Sequence, residues 1–387
     1  MRVTHVITRL VIGGAQENTV ASVLGLRRKT GFDVNLISGP TTGPEGSLAT
    51  QFKNEPGALS IVPTLVRPVH PIYDLAALLR LTQIFRATAP QIVHTHSGKA
   101  GILGRLAAAR AQVPIIVHTI HGPSFGDFQG PVSNFVFYRA ERLAAAATTH
   151  FVTVADAMTR QYLAAGIGRP EQYTRILSGF PLEPYLAARN DPALRRRLGI
   201  VDHDIVIGKI ARLFKLKGHD DLLTIAPEVI KRCPQVKFLL IGDGAWRIRL
   251  QQRAKSLGVE KNVIFTGLVS PEEIPAYLGV MDLLVHLSRR EGLPRALPQA
   301  LAAERPVVAY DCDGANEVCL PDETGFLVQP GDLPTLTARL VQLAQDAALR
   351  AKMGTRGREM VRRQFSVETM VENICELYGR LAAAEKK

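Results

Sequence analysis

Short runs of Val, Ile and Leu recur along the chain, separated by longer stretches in which apolar positions return at helical spacing. In the first half such runs fall at 3–8, 33–38, 60–66, 91–96, 115–120, 150–154 and 174–177. In the second half they fall at 205–210, 237–241, 263–266, 282–287, 306–310 and 325–328. They are apolar at consecutive rather than alternate positions, as in strands covered by helices on both faces. Strands alternating with helices in this way build parallel sheets from βαβ units. Two blocks of six or seven strands therefore predict two doubly wound α/β domains. The segment Ser178-Gly179-Phe180-Pro181-Leu182-Glu183-Pro184 breaks both periods with one glycine and two prolines, which places the boundary there. The domains are expected at 1–183 and 184–366. In open parallel sheets ligands bind beyond the carboxyl ends of the strands, so the loops that follow strands are where chemistry belongs.

Composition narrows the class. A chain of 387 residues suits two domains, and 46 % hydrophobic with 21 % charged residues excludes disordered, collagen-like and coiled-coil chains. Lys and Arg number 47 against 35 Asp and Glu, a formal charge of +12. This points to an anionic partner: nucleic acid, anionic lipid or a phosphorylated ligand. Residues 1–183 hold 17 of the cations and 10 of the carboxylates, so the relative excess is larger there. The runs Arg27-Arg28-Lys29 and Arg195-Arg196-Arg197 are too short for a nucleic-acid tail and read as solvated helix ends. Cys233, Cys312, Cys319 and Cys375 form no C-x-x-C pair, and free thiols in a reducing, cytoplasmic compartment are expected. The first 13 residues carry Arg2, His5 and Arg9 and read as a strand rather than a signal peptide. No stretch of about 20 apolar residues occurs.

Several loops after strands carry groups able to bind an anion. Gly13-Gly14 precedes a helix and would let backbone approach a phosphate, although a tight structural turn explains the pair equally well. The dinucleotide fingerprint G-x-G-x-x-G is absent from this loop. His94 and His96 are expected on opposite faces of their strand and so to make a poor chelate. His121, beside Gly122 past a strand end, is placed to reach a ligand or to be satisfied within its loop. Arg212 and Lys217 follow another strand and would together neutralise a diphosphate. Glu291 lies beyond a further strand, just before Gly292 and Leu293, whose backbone amides are expected to face a ligand, and Pro294 suits a helix start. Asp311-Cys312-Asp313 has the form of a metal-binding Asp-x-Asp, but Asp313-Gly314 reads better as a turn, and no metal is expected.

In this order the blocks Gly13-Gly14-Ala15, 94–107, His121-Gly122, 212–218, Ile241-Gly242-Asp243-Gly244, Phe265-Thr266-Gly267, 291–300 and 324–332 resemble the glycosyltransferase family 4 proteins over essentially the whole chain. The resemblance implies a GT-B fold: two facing Rossmann-like domains, the first for the acceptor and the second for a nucleotide diphosphate sugar, UDP- or GDP-linked. A C-terminal helix within 367–387 would cross back to the first domain. By the same resemblance Arg212 and Lys217 hold the diphosphate. Glu291 contacts the hydroxyls of the donor sugar, the Gly292 and Leu293 amides hold sugar and phosphate, and Gly267-Leu268 meets the base. Gly14 approaches the distal phosphate, and His121 meets the donor sugar. The implied reaction is metal-independent hexosyl transfer with retention, by a same-face route in which the leaving phosphate helps to deprotonate the acceptor. Arg212 and Lys217 then stabilise the departing charge.

Two departures stand out. Gln299 replaces the second glutamate of the family's E-x7-E, which grips the ribose. An amide oxygen still accepts from a ribose hydroxyl, at a loss of about 1 kcal/mol. Ser178-Gly179-Phe180-Pro181 replaces an Asn-Gly-aliphatic-Asp pattern. The first departure keeps open a second reading, a degenerate homologue that binds a nucleotide sugar without turnover. Bacterial members of the family often build surface polysaccharides on lipid carriers, which implies a saccharide or lipid-linked acceptor and excludes nucleic acid as partner. The segment 132–147, with Phe135, Val136, Phe137, Arg139 and Arg142, is expected either to pack on the sheet or to lie as a basic amphipathic helix on an anionic leaflet.

Overall fold

The computed structural model describes residues 1–41, 46–96, 98–126 and 128–385; Ser97, within the 94–107 block, lies outside them. The chain forms two compact units, one of residues 1–180 with 367–387 and one of residues 181–366.

The first unit holds seven parallel strands: β1 (Arg2–Ile7), β2 (Asp33–Ser38), β3 (Leu59–Ile61), β4 (Ile92–His96), β5 (Ile115–Ile120), β6 (His150–Thr153) and β7 (Tyr173–Arg175). Their order is β3-β2-β1-β4-β5-β6-β7. Val3 of β1 pairs with Val34 on one side and Ile92 on the other, so β1 sits where the strand order reverses. β4 and β5 are buried at every position, which is why their apolar runs are continuous. β3 stops at Ile61 although the apolar run continues to residue 66. Pro63 has no N–H for the ladder, and the chain turns back with Leu65 N–H bonded to the Val62 carbonyl at 3.0 Å. β7 is likewise shorter than its apolar run.

Helices α1 (Gly14–Arg27), α2 (Pro71–Thr88), α3 (Gly98–Arg110) and α4 (Pro131–Ala145) follow β1, β3, β4 and β5. The C-terminal helix Val367–Glu385 packs in this unit. Met370, Val371, Ile374, Leu377 and Tyr378 are buried in one cluster with Ile7, Val20, Val23 and Leu26. Gly25 makes the approach possible, because a Cβ there would stand 2.4 Å from Val371 Cγ2. α4 is tied to α3 by a fully buried ion pair, Arg105 Nη2 to Glu141 Oε1 at 2.6 Å, which is completed by bonds from Arg105 to the Gly101 carbonyl and from Ser124 to Glu141. Only Glu141 and Ala144 of α4 are buried. Phe137, Tyr138 and Ala140 are half-buried, while Val132, Phe135, Val136 and Leu143 are exposed, so only part of the helix's apolar surface is packed.

The second unit holds β8 (Ile205–Ile210), β9 (Val236–Ile241), β10 (Val263–Gly267), β11 (Leu283–His286), β12 (Val307–Tyr310) and β13 (Gly325–Val328), all parallel, in the order β10-β9-β8-β11-β12-β13. Here β8 marks the reversal, paired with β9 at Ile205 and with β11 at Ile207. The four cysteines form no disulfide. Among the described residues no helix is long and apolar enough to cross a membrane.

Leu377 is 1 % exposed and belongs to the core of the first unit. Leu377→Ala is expected to lower the stability of that unit by about 2–5 kcal/mol in urea denaturation. Exposed Glu372→Ala on the same helix should stay within about 0.5 kcal/mol.

Candidate active site

In the second unit the reversal beside β8 brings two loops together, 211–218 after β8 and 287–295 after β11. The first ends at Gly218, whose φ of +65° and backbone position fit no other residue: a Cβ would stand 2.2 Å from the Leu287 carbonyl oxygen. The loops are tied by Arg289 N–H bonded to the Leu216 carbonyl at 2.8 Å. Across this junction Lys217 Nζ donates to Glu291 Oε1 and, at 3.2 Å, to Ser288 Oγ. The Glu291 amide donates to Asp313 Oδ2 at 2.7 Å. The result is a cation from one loop and a carboxylate from the other, both half-buried and facing each other.

Beneath the pair lie three more ionisable groups that sequence reasoning missed. His286 Nε2 is 3.7 Å from Glu291 Oε1 and buried, with no hydrogen-bond partner among the described residues. Burial holds its pKa near 3, against the pull of Glu291. Lys209, on β8, is 1 % exposed. Burial and then the neighbouring Lys217 charge pull its ammonium down to about 7, while Asp221 and Glu291 act the other way. His219 Nε2 is bonded to the Arg212 carbonyl at 3.0 Å, and burial lowers its pKa to about 4. Burial by itself would raise Glu291; the Lys217 ammonium outweighs that, and the carboxyl is held below its ordinary value. Polar residues on an otherwise apolar β8 and β11 were the available signal for Lys209 and His286.

The remaining predicted residues are placed as follows. The Arg212 guanidinium lies 5.4 Å from the centre of the Phe214 ring. Gly292 and Leu293 are buried, and among the described residues neither amide donates a hydrogen bond. Gly267 ends β10, and Leu268 beyond it is 71 % exposed. Gln299 donates from Nε2 to the Tyr185 hydroxyl at 2.9 Å. Asp311 and Asp313 take separate partners: Asp311 accepts from Asn316 and Gln329, while Asp313 holds the Glu291 amide.

Gly14 and His121 belong to the first unit, Gly14 opening α1 and His121 following β5. The expectation that His94 and His96 face opposite ways is wrong. Side chains two apart on a strand share a face. Their rings stack at 4.5 Å, and His5 of β1 joins them with ring centroids 4.8 and 5.1 Å away. One nitrogen from each of the three lies within 4.8 Å of the others, the only such cluster of potential metal ligands among the described residues. His96 Nδ1 in turn meets His121 Nε2 at 3.1 Å.

Two doubly wound parallel sheets, one carrying a cation–carboxylate pair at its switch point, define an α/β protein of GT-B architecture. Residues 13–179 match the Glycosyl transferase 4-like domain, and residues 190–360 match the Glycosyl transferases group 1 family. The chain is 27 % identical over 382 residues to the UDP-Gal:alpha-D-GlcNAc-diphosphoundecaprenol alpha-1,3-galactosyltransferase of Escherichia coli, covering 98 % of this chain and 96 % of that one. It is 30 % identical over 298 residues to the GDP-mannose-dependent alpha-(1-6)-phosphatidylinositol monomannoside mannosyltransferase of Mycolicibacterium smegmatis, 74 % of each chain. HepE of Anabaena, solved in complex with UDP and glucose, superposes with a TM-score of 0.82 at 22 % identity over 98 % of this chain and 100 % of its own. The chain belongs to the family 4 glycosyltransferases, of GT-B fold.

Lysine ordinarily titrates near 10.5 and Lys209 near 7. Between these values the unfolded chain holds a proton that the folded protein has lost, so this group makes stability rise with pH across that window. Lys209→Met removes the slope. Its gain over the parent protein in denaturation should be largest below pH 7 and shrink toward pH 10.

Proposed function

We propose that the protein transfers a hexose, with retention and without a metal, from a UDP- or GDP-linked sugar to a saccharide or lipid-linked acceptor in bacterial cell-surface polysaccharide synthesis. The observation that carries the reading is the Lys217–Glu291 junction at the β8/β11 switch point. A phosphate arriving there competes with Glu291 for Lys217. The released carboxylate is then the natural acceptor for sugar hydroxyls. Arg212 adds a second cation that stabilises charge on the departing diphosphate. The Gly292 and Leu293 amides supply donors, Gly267-Leu268 meets the base, and Gln299, with Tyr185 beside it, meets the ribose. Gly14 and His121 are assigned to the distal phosphate and the donor sugar. The E. coli and M. smegmatis relatives are named for UDP-galactose and GDP-mannose, which supports a nucleotide-linked hexose without choosing the base.

For the acceptor, the first unit offers a cavity of about 450 Å³ at the end of β1. Arg9, Arg67 and Lys99 line it together with Ile102, Leu103 and Phe137. Cations beside an apolar wall suit an acceptor with a phosphate and a lipid chain. α4 supports transient contact with an anionic inner leaflet, and hence a peripheral cytoplasmic location. Val132 is 78 % exposed, and Phe135 and Leu143 are 63 % exposed. The Arg139 and Arg142 guanidiniums lie over the Phe135 and Tyr138 rings at 5.9 and 5.8 Å.

A panel of nucleotide sugars, read by thermal shift and then by hydrolysis, should reveal one stabilising donor that is turned over. Lys217→Ala should lower kcat by about 10²–10³. Absence of stabilisation by any nucleoside diphosphate overturns the reading, and binding without turnover favours a degenerate, non-catalytic homologue. Gln299→Glu, which replaces the Nε2 donor to Tyr185 with a carboxylate oxygen, should bind donor about tenfold more tightly. Unchanged or weaker binding removes Gln299 from the ribose. Sedimentation with anionic vesicles should capture the protein at low salt, less at high salt, and least for Phe135→Glu.

A further inference from the structure

Four buried or half-buried histidines, one tyrosine and one threonine of the first unit form a single chain of hydrogen bonds. Thr119 Oγ1 meets His94 Nε2 at 2.6 Å, and His94 Nδ1 meets the Tyr378 hydroxyl at 2.5 Å. That hydroxyl meets His5 Nε2 at 3.3 Å, His5 Nδ1 meets His96 Nε2 at 2.9 Å, and His96 Nδ1 meets His121 Nε2 at 3.1 Å. The members come from β1, β4, β5, the loop after β5 and the C-terminal helix. His5, His94, His96, Thr119 and Tyr378 are each at most 3 % exposed.

Burial pushes His5 down to about 3 and takes His94 and His96 well below the ordinary value, while it raises Tyr378. The three imidazoles are therefore neutral and the phenol keeps its proton. A neutral imidazole has one N–H and one lone pair, so each ring passes the direction on, and Tyr378 does the same, because a hydroxyl accepting from both His94 and His5 would leave its own buried proton without an acceptor. Two directions exist, and Thr119 separates them. Among the described residues its hydroxyl has one partner, His94 Nε2. If His94 Nε2 donated to Thr119, the buried threonine proton would have no acceptor, a loss of about 1–3 kcal/mol. Running from Thr119, every polar hydrogen is used. Thr119 donates to His94 and His94 Nδ1–H donates to Tyr378. Tyr378 donates to His5, His5 Nδ1–H donates to His96, and His96 Nδ1–H donates to His121 Nε2.

We infer that this chain is a positioning device: it fixes the ring of His121 and commits it to the neutral tautomer with its proton on Nδ1. Nε2 of His121 is held by His96 and takes no proton, so this nitrogen does not act as a base. The inference rests on the assignment of His121 to the donor sugar for its consequence in turnover, but not for the tautomer itself. It also accounts for the three-histidine cluster without a metal, because every ring nitrogen of His5, His94 and His96 already has a partner.

The test is ¹⁵N correlation spectroscopy of histidine-labelled full-length protein, with resonances assigned by single substitutions. His5, His94, His96 and His121 should all show Nδ1–H, the opposite of the form that dominates in free histidine. Thr119→Val and Tyr378→Phe keep volume and remove one hydroxyl each. Both should admit the Nε2–H form at His121, and Thr119→Ser should restore Nδ1–H. With the donor found above, kcat should fall roughly tenfold in the Val and Phe variants at unchanged donor KM, and recover in Thr119→Ser. Nε2–H at His121 in the parent protein, or an unmoved tautomer in both variants, overturns the inference. So does stoichiometric metal held by the isolated protein, since chelation would take the same nitrogens. A tautomer that moves while kcat does not overturns the role in turnover. His121→Ala with unaltered kcat overturns the donor-sugar assignment alone.

Discussion

The reversal of strand order beside β1 and beside β8 is the constraint on which everything else in this protein rests. In a parallel sheet each crossover helix covers one face, and where the order reverses the helices on either side diverge to opposite faces. The carboxyl ends of the two central strands are then left uncovered. In the second unit those ends belong to β8 and β11, and the loops leaving them carry Lys217 and Glu291. In the first unit they belong to β1 and β4, whose residues His5, His94 and His96 stack side by side. Neither group of residues is contiguous in sequence. Each exists because the sheet aligns strand ends that lie about 75 to 90 residues apart.

The same geometry creates an electrostatic cost. A sheet covered on both faces leaves its central strands dry, so Lys209, His286, His94 and His96 sit where a charge is poorly solvated. The two units resolve this differently. In the second, charge is retained at the rim, where Lys217 and Glu291 neutralise each other, while the lysine and histidine beneath are driven toward their neutral forms. In the first, charge is avoided at these strand positions, and the histidines are satisfied as neutral rings by one another, by Thr119 and by Tyr378. The C-terminal helix matters to this second solution. It fills the apolar core through Leu377 and Ile374, and it also delivers the hydroxyl that joins His94 to His5.

Strands were legible because a buried parallel strand must be apolar throughout, and all thirteen begin within one residue of the apolar run that marks them. β3 begins one residue early and ends five early, since a proline without an N–H ended the ladder while the apolar run went on. Lys217 and Glu291 were legible as individual residues, through loop position and through the family pattern. Lys209 and His286 were not, because a single polar residue within an apolar run carries no statement of what it will face. His94 and His96 were misplaced by an error of period: residues two apart on a strand share a face.

Local pattern thus determined the strands and the loops where chemistry could reside. It does so because strand and helix periods are properties of neighbouring residues and of which faces are dry. The tertiary structure alone decided which loops meet, that Lys217 is bound to Glu291, that α4 leaves part of its apolar surface exposed, and that a tyrosine 373 residues from His5 completes a hydrogen-bonded chain. Those are facts of strand order and helix docking, and strand order is fixed by the packing of the whole sheet rather than by any segment within it.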